Sequence, residues 1–464
     1  MKRTGLALAA LLLSVGTTHA QAPEASPIPP RYSPRPFVQI KHPEWSRTAV
    51  LYQINTRQFT PEGTFRAAEA QLPRLKALGV GILWLMPIHP IGAQNRKGSL
   101  GSPYAVRDYY GVNPEFGTVA DLKSFVDAAH KLGMHVILDW VANHTAWDAK
   151  LHAEHPDWYK RDWKGKERPT LWFDWSDIID LDYSKPGLRQ YMTDAMKYWV
   201  REVGIDGYRA DVAGWVPVDF WENARAEFDA IRPVFMLAEF DHRDIHRAAF
   251  DASYAWKWNN AMHEIGMGRA SVSALFGYYS EAEGAWPAEA QRMVYTENHD
   301  QNAWEGTEFE RFGPALDNAI VLSFVGAGMP LIHNGQEAGN AKRLQFFERD
   351  PIVWKDHPNA DLFRRLIAFR TAHPALWNAP WGASMIPVVN SAPDKVLSFV
   401  RQKDGDKIFA LFNLSGEAQE FGFTDGPVAG RYRDFASGHS VTVSAGTRMT
   451  LAPWSYRVLA SAPE

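Results

Sequence analysis

The chain has 464 residues, 46% apolar and 22% charged, with 34 Gly and 30 Pro. At roughly 100–200 residues per domain this is an ordinary globular make-up of one large domain with a smaller companion, which excludes collagen-like and low-complexity chains. A net charge of −4 offers no basic field for nucleic acid or an anionic membrane, and a sequence without Cys has no disulfides and no thiolate metal site.

From the N-terminus, Lys2 and Arg3 precede an apolar run over 6–15, and Thr18-His19-Ala20 ends in a small residue. Residues 1–20 therefore read as a signal peptide, and a periplasmic or secreted protein is expected. That run is too short to span a bilayer, and no later stretch reaches 18 apolar residues, so no membrane insertion is expected once the signal is removed. Residues 21–36, rich in Pro and small side chains, read as an extended lead-in.

Short apolar runs then follow at 49–54, 80–87, 135–140, 205–209, 234–239, 250–255, 293–296 and 329–334. Runs of this length fit strands buried on both faces. Amphipathic helical patterns lie between them, among others at 64–78, 119–132, 186–202 and 361–373. Eight strands alternating with helices predict an α/β fold, a (β/α)8 TIM barrel, over 21–384. An insertion after the third strand, 144–182, carries Trp147, Trp158, Tyr159, Trp163, Trp172, Phe173 and Trp175. Such ring density in a loop means a small core of its own, rings facing a ligand, or both. Beyond 385 the helical patterns stop. Short strand patterns at 395–401, 407–414, 420–423, 440–443 and 454–459 predict a C-terminal antiparallel β-sandwich over 385–464.

Active sites of such barrels lie at the C-terminal ends of the strands. Those ends carry Asp139 to His144, Arg209 and Asp211, Glu239, Asn298-His299-Asp300, and His333 to Glu337. A lone Asp after a strand is usually a helix cap. Three acids with two His and an Arg on one rim are costly to assemble without a function. Paired carboxylates among aromatic rings suit glycoside hydrolysis, in which one acid protonates the leaving oxygen and another attacks or stabilises an oxocarbenium-like centre. Arg209 and Asp211 share a strand face, and the guanidinium is expected to keep Asp211 ionised. Glu239 follows the apolar run, where burial is expected to raise its pKa toward that of a working acid.

The segments DWVANH (139–144), GYRADV (207–212), LAEFD (237–241) and TENHD (296–300) resemble, in order and spacing, the four signature regions of the α-amylase family of glycoside hydrolases. YQINTRQF, GVGILWLMP, SPYAVRDYYGVN, IIDLDYS and GMPLIHNGQE are similar to its supporting segments, and the resemblance covers about residues 45–460. It implies Asp211 as nucleophile, Glu239 as general acid/base and Asp300 as a third acid gripping sugar hydroxyls. Arg209, His144 and His299 would support the sugar, Tyr104 would stack on it, and Asp139 would be a structural acid beneath. The substrates implied are α-glucans: starch, glycogen, maltooligosaccharides and cyclodextrins, cleaved at α-1,4 bonds with retention. Neopullulanase, cyclomaltodextrinase, α-glucosidase and glucanotransferase activities are alternatives on the same site, and a non-catalytic glucan-binding protein is a remote one. The chemistry needs no cofactor. A structural calcium is a further implication, because Asn143 and Asp180 match family calcium positions. The chain departs from many relatives in having Gly214-Trp215 where those carry Lys-His, so little or no calcium dependence is expected.

Overall fold

A computed structural model describes residues 30–461; the signal peptide expected at 1–20 lies outside the described residues. The chain divides into two units between Phe37 and Val38. The described part of the first carries a single 3-10 turn, Pro30–Tyr32, and the second carries every strand described.

The eight expected strands are present: β1 (Leu51–Ile54), β2 (Ile82–Leu85), β3 (His135–Trp140), β6 (Gly207–Ala210), β7 (Phe235–Ala238), β8 (Ala252–Tyr254), β9 (Gln291–Val294) and β10 (Met329–His333). They close into a parallel barrel in the order β1-β10-β9-β8-β7-β6-β3-β2. Two further strands, β4 (His144–Ala146) and β5 (Ile178–Asp180), form an antiparallel pair in the insertion. Alternate residues of the barrel strands serve two cores. Leu51, Trp84, Ile137, Leu237, Tyr254 and Met293 fill the interior, whereas Tyr52, Leu83, Val136, Leu138, Tyr208 and Met236 face the helices. Gly207 is required at its position. Its φ is +148°, and a Cβ there would come within 1.9 Å of the Phe235 carbonyl oxygen on the adjacent strand.

Helix Val119–Lys131 begins with a reciprocal capping box between Thr118 and Asp121. The pattern at 64–78 is two helices, Phe65–Glu69 and Leu72–Leu78, because Pro73 supplies no N–H to continue the first. The helix expected over 186–202 is Pro186–Tyr198 followed by a wider turn, Trp199–Val203. There Trp199 is buried and its indole donates to the Tyr109 carbonyl at 2.8 Å.

The C-terminal region holds a six-stranded sheet and a three-stranded sheet. The larger is ordered β11 (Ile386–Pro387), β13 (Val396–Lys403), β14 (Asp406–Asn413), β19 (Tyr456–Ser461), β16 (Gly430–Asp434), β17 (Ser440–Val443). The smaller is β12 (Val389–Asn390), β15 (Gln419–Asp425), β18 (Arg448–Leu451). One face of the larger sheet (Val400, Phe409, Leu411, Leu459) packs on the smaller. The other face (Leu397, Phe399, Ile408, Phe412, Val458) joins the core beneath the barrel helices.

Candidate active site

The β-strand period decides which side chains reach the mouth of the barrel. Asp139 lies opposite Arg209 in the β3–β6 register, and Arg209 points inward while Tyr208 and Ala210 face the helices. Glu239, just beyond β7, comes level with Asp211 because its N–H bonds the Ala210 carbonyl.

The fully buried Arg209 guanidinium ties these acids together. Its Nη1 donates to Asp139 Oδ1 at 2.8 Å and to Asp211 Oδ1 at 3.1 Å, and its Nη2 lies 2.9 Å from Glu239 Oε2. Asp139 also accepts from the Trp84 indole at 3.1 Å and the Tyr104 hydroxyl at 3.0 Å. Burial pushes its carboxyl up to about 6, against the pull of Arg209. Three carboxyls, those of Asp139, Asp211 and Glu239, thus meet one guanidinium.

One electrostatic expectation changes here. Arg209 does contact Asp211, but burial and the neighbouring Glu239 outweigh it and raise the Asp211 carboxyl well above the usual range. Glu239 also accepts from the Val212 N–H, at 2.7 Å to its Oε2. That N–H is aimed by an unusual backbone. Val212 sits at φ +35°, ψ 47°, strained for a β-branched residue.

His299 stacks on Tyr104, ring centres 5.6 Å apart. The Gln53 amide is oriented by accepting the His299 N–H at 3.1 Å, so its NH₂ faces His299 Nδ1 at 2.6 Å. This leaves the imidazole proton on Nε2, 2.7 Å from the Tyr104 hydroxyl. His144 Nε2 lies 4.0 Å from Asp211 Oδ2. Burial lowers His144 to about 3 and His299 well below its ordinary value, so both are neutral imidazoles at neutral pH. Asp300 lies 3.3 Å from His299 Nε2 and keeps 40% of its side chain open to solvent. Desolvation and then Glu239 push its carboxyl up.

Asp139, Tyr104, His144, Arg209, Asp211, Glu239, His299 and Asp300 thus converge on one mouth. Gln53, Trp84 and Tyr254, whose hydroxyl meets Arg209 Nε at 3.3 Å, complete it without having been singled out. Gln53 was discernible as the polar residue of an otherwise apolar strand. The insertion's rings divide between two uses. Tyr159 is buried and bonds Thr145. Phe173 and Trp175 meet Trp215 at the rim, ring centres 4.7–5.6 Å apart, and Trp175 reaches His144 at 5.8 Å. Gly214 makes this possible, because a Cβ there would lie 2.3 Å from the Phe240 ring. Beyond Tyr104, Phe346 (6.1 Å) and Trp304 (5.2 Å from Phe346) extend the rings away from the acids.

The residues matched to calcium positions are engaged otherwise. Asp180 accepts from Arg168 Nη1 at 3.0 Å and from the Thr170 hydroxyl, and Lys160 Nζ stands 4.0 Å away. Asn143 turns its NH₂ toward the same carboxylate at 3.4 Å. Two cations and two donors on one carboxylate do not fit a calcium ion, which needs six or more oxygen ligands.

Comparison with known proteins bears on this geometry. Residues 34–384 match the family profile of the alpha amylase catalytic domain. An alpha-amylase of Haloarcula japonica is 29% identical over 426 residues, 87% of this chain, and this chain spans 61% of its length. Neopullulanase 2 of Thermoactinomyces vulgaris is 26% identical over 80% of this chain and 72% of its own. A noncanonic maltogenic alpha-amylase from Thermotoga neapolitana superimposes with a TM-score of 0.82 at 30% identity, over 90% of this chain and 99% of its own.

Proposed function

Because the chain belongs to the alpha-amylase family of glycoside hydrolases, we propose that it cleaves α-1,4-glucosidic bonds of starch, glycogen and maltooligosaccharides with retention of configuration. The observation that carries this is the single guanidinium holding Asp139, Asp211 and Glu239 at the mouth of the barrel. In this reading Asp211 acts as the nucleophilic carboxylate and Glu239 as the general acid/base. Asp211 attacks the anomeric carbon as Glu239 protonates the leaving oxygen. Water, deprotonated by Glu239, then releases the sugar from Asp211. Two acids on one guanidinium suit the separation of about 5–5.5 Å of retaining enzymes. Asp300 and the neutral His144 and His299 grip hydroxyls, and Tyr104 supports the ring face.

A second reading concerns the acceptor. Phe173, Trp175 and Trp215 form an aromatic shelf at the rim, next to His144, where a leaving or incoming sugar would stack. This favours transfer to maltose alongside hydrolysis, and activity on cyclodextrins. Arg168 and Lys160 on Asp180 favour activity without calcium. The pattern of residues 1–20 favours export, and the mature N-terminus determined by mass spectrometry checks it.

Proton NMR of the first minutes of maltooligosaccharide cleavage tests the central proposal. The α-anomer should appear first and then mutarotate, and concentrated maltose should yield longer products. Initial release of the β-anomer would overturn the nucleophile assignment.

A further inference from the structure

The other end of the barrel carries a second group of ionisable side chains. His130 lies in the last turn of helix Val119–Lys131, His135 opens β3, and Asp206 directly precedes β6. The pairing of Ile137 with Gly207 brings Asp206 level with Val136, whose N–H donates to Asp206 Oδ2 at 2.8 Å. His130 Nε2 lies 2.7 Å from Oδ2 and His135 Nδ1 3.3 Å from Oδ1. The carboxyl is almost wholly buried, while the imidazoles keep 30% and 25% of their side-chain surface. Trp45 lies flat on His135, ring centres 3.8 Å apart and planes 11° off parallel, and so fixes the imidazole plane. His135 Nδ1 is nevertheless enclosed without a hydrogen-bond partner. The other charged group facing the site is Arg232, whose Nη2 bonds Oδ1 at 3.0 Å and whose Nη1 bonds the Gly204 carbonyl at 2.9 Å.

We propose that His130, His135 and Asp206 bind one zinc ion at the base of the barrel. Their three donor atoms lie within 4.8 Å of one another, a span that one ion with bonds of about 2.0–2.2 Å bridges with small side-chain adjustments. Two imidazoles and a carboxylate suit zinc and its first-row neighbours, whereas calcium and magnesium take oxygen ligands. The ion replaces the proton shared by His130 and Asp206 and gives His135 Nδ1 the partner it lacks. Arg232, bonded to the other carboxylate oxygen, becomes the outer hydrogen bond that ligating carboxylates usually have. Water reaches the fourth position past the exposed imidazole edges. The bound ion would tie a helix end to two barrel strands. The five residues of strand from Asp206 to Asp211, at about 3.3 Å each, keep it roughly 16 Å from the catalytic mouth.

The test uses the full chain, stripped by chelator and dialysed, then titrated with zinc by calorimetry and with cobalt(II) by visible absorption. One ion per chain, the intense absorption bands of four-coordinate cobalt and an unfolding midpoint raised by a few degrees are expected, with starch hydrolysis unchanged. His130→Gln and His135→Gln, each at a partly exposed position and checked by circular dichroism, should each weaken binding at least tenfold. Absence of binding by the parent chain, or undiminished binding by both variants, would overturn the site. Bands of six-coordinate cobalt alone in the parent chain would overturn the proposed geometry even if a variant failed to fold.

Discussion

Glu239 meets Arg209 and the strained Val212 backbone N–H at the mouth of the barrel. Glu239→Gln keeps the shape and both contacts but has no proton to give. We expect kcat on starch to fall about 10²–10⁴-fold, the usual worth of acid–base assistance, with the circular dichroism spectrum unchanged. The loss should shrink on an aryl maltoside whose leaving group needs no protonation. Equal losses on both substrates would point to a different role. Asp211, Glu239 and Asp300 were legible in the sequence because residues two apart on a strand share a face and strand ends converge in a barrel. The charge distribution was not legible. Burial of Asp211 and the Val212 N–H on Glu239 are products of packing, and neither leaves a trace in residue order. Likewise the shelf of Phe173, Trp175 and Trp215 joins two segments about 40 residues apart, and only the fold reveals that they touch.

Among the elements, the eight barrel strands were readable because both faces are buried and most of their residues are apolar, with Gln53, Asp139, Arg209, Gln291 and Arg292 among the exceptions. In the sandwich, β16 and β18 escaped notice. Their exposed residues (Arg431 and Arg433; Arg448 and Thr450) alternate with only two buried ones each, too short a period-2 signal to register. The β4–β5 pair is the element that couples the insertion to catalysis, since His144 lies directly opposite Asp180. Arg168 and Thr170 anchor that strand through the buried Asp180 carboxylate. Replacing Arg168 with Met leaves a buried anion short of a partner, at a cost of about 1–3 kcal/mol. We expect a lower kcat/KM through displacement of His144, with Tm only modestly reduced. The freed carboxylate should also acquire a calcium response absent from the parent, measurable as activity in chelator against activity in added calcium. Parent activity that collapsed in chelator and returned with calcium would contradict the role given to Arg168.

For the whole molecule, buried carboxyls set the response of stability to pH. Behind the active site, Glu308 is fully buried. It accepts from Thr296 and Gln336, its Oε1 has no partner, and burial followed by the nearby Glu297 pushes it up to about 8. An unfolded chain releases that proton near its ordinary value of about 4.3. Between those limits the native state binds more protons than the unfolded one, so stability falls as pH rises, and the penalty is complete only above about pH 8. Glu308→Gln removes the titrating group. Urea midpoints at pH 5, 7 and 9 should therefore decline less steeply for the variant than for the parent. Parallel declines would place the penalty elsewhere.

The order of the larger sandwich sheet has a consequence for how the protein comes to be folded. β19, the last strand described, is an interior strand, flanked by β14 on one side and β16 on the other. A chain emerging N-terminus first can pair β13 with β14 and β16 with β17, but these ribbons remain apart until residues 456–461 arrive. Meanwhile β14 and β16 present open edges, the usual template for mispairing between copies. Completion of the sheet therefore waits for residues 456–461. Nascent chains halted at residue 451 should be cut within the sandwich by proteases that spare the released protein, whereas equal resistance would show that the sheet closes without its central strand.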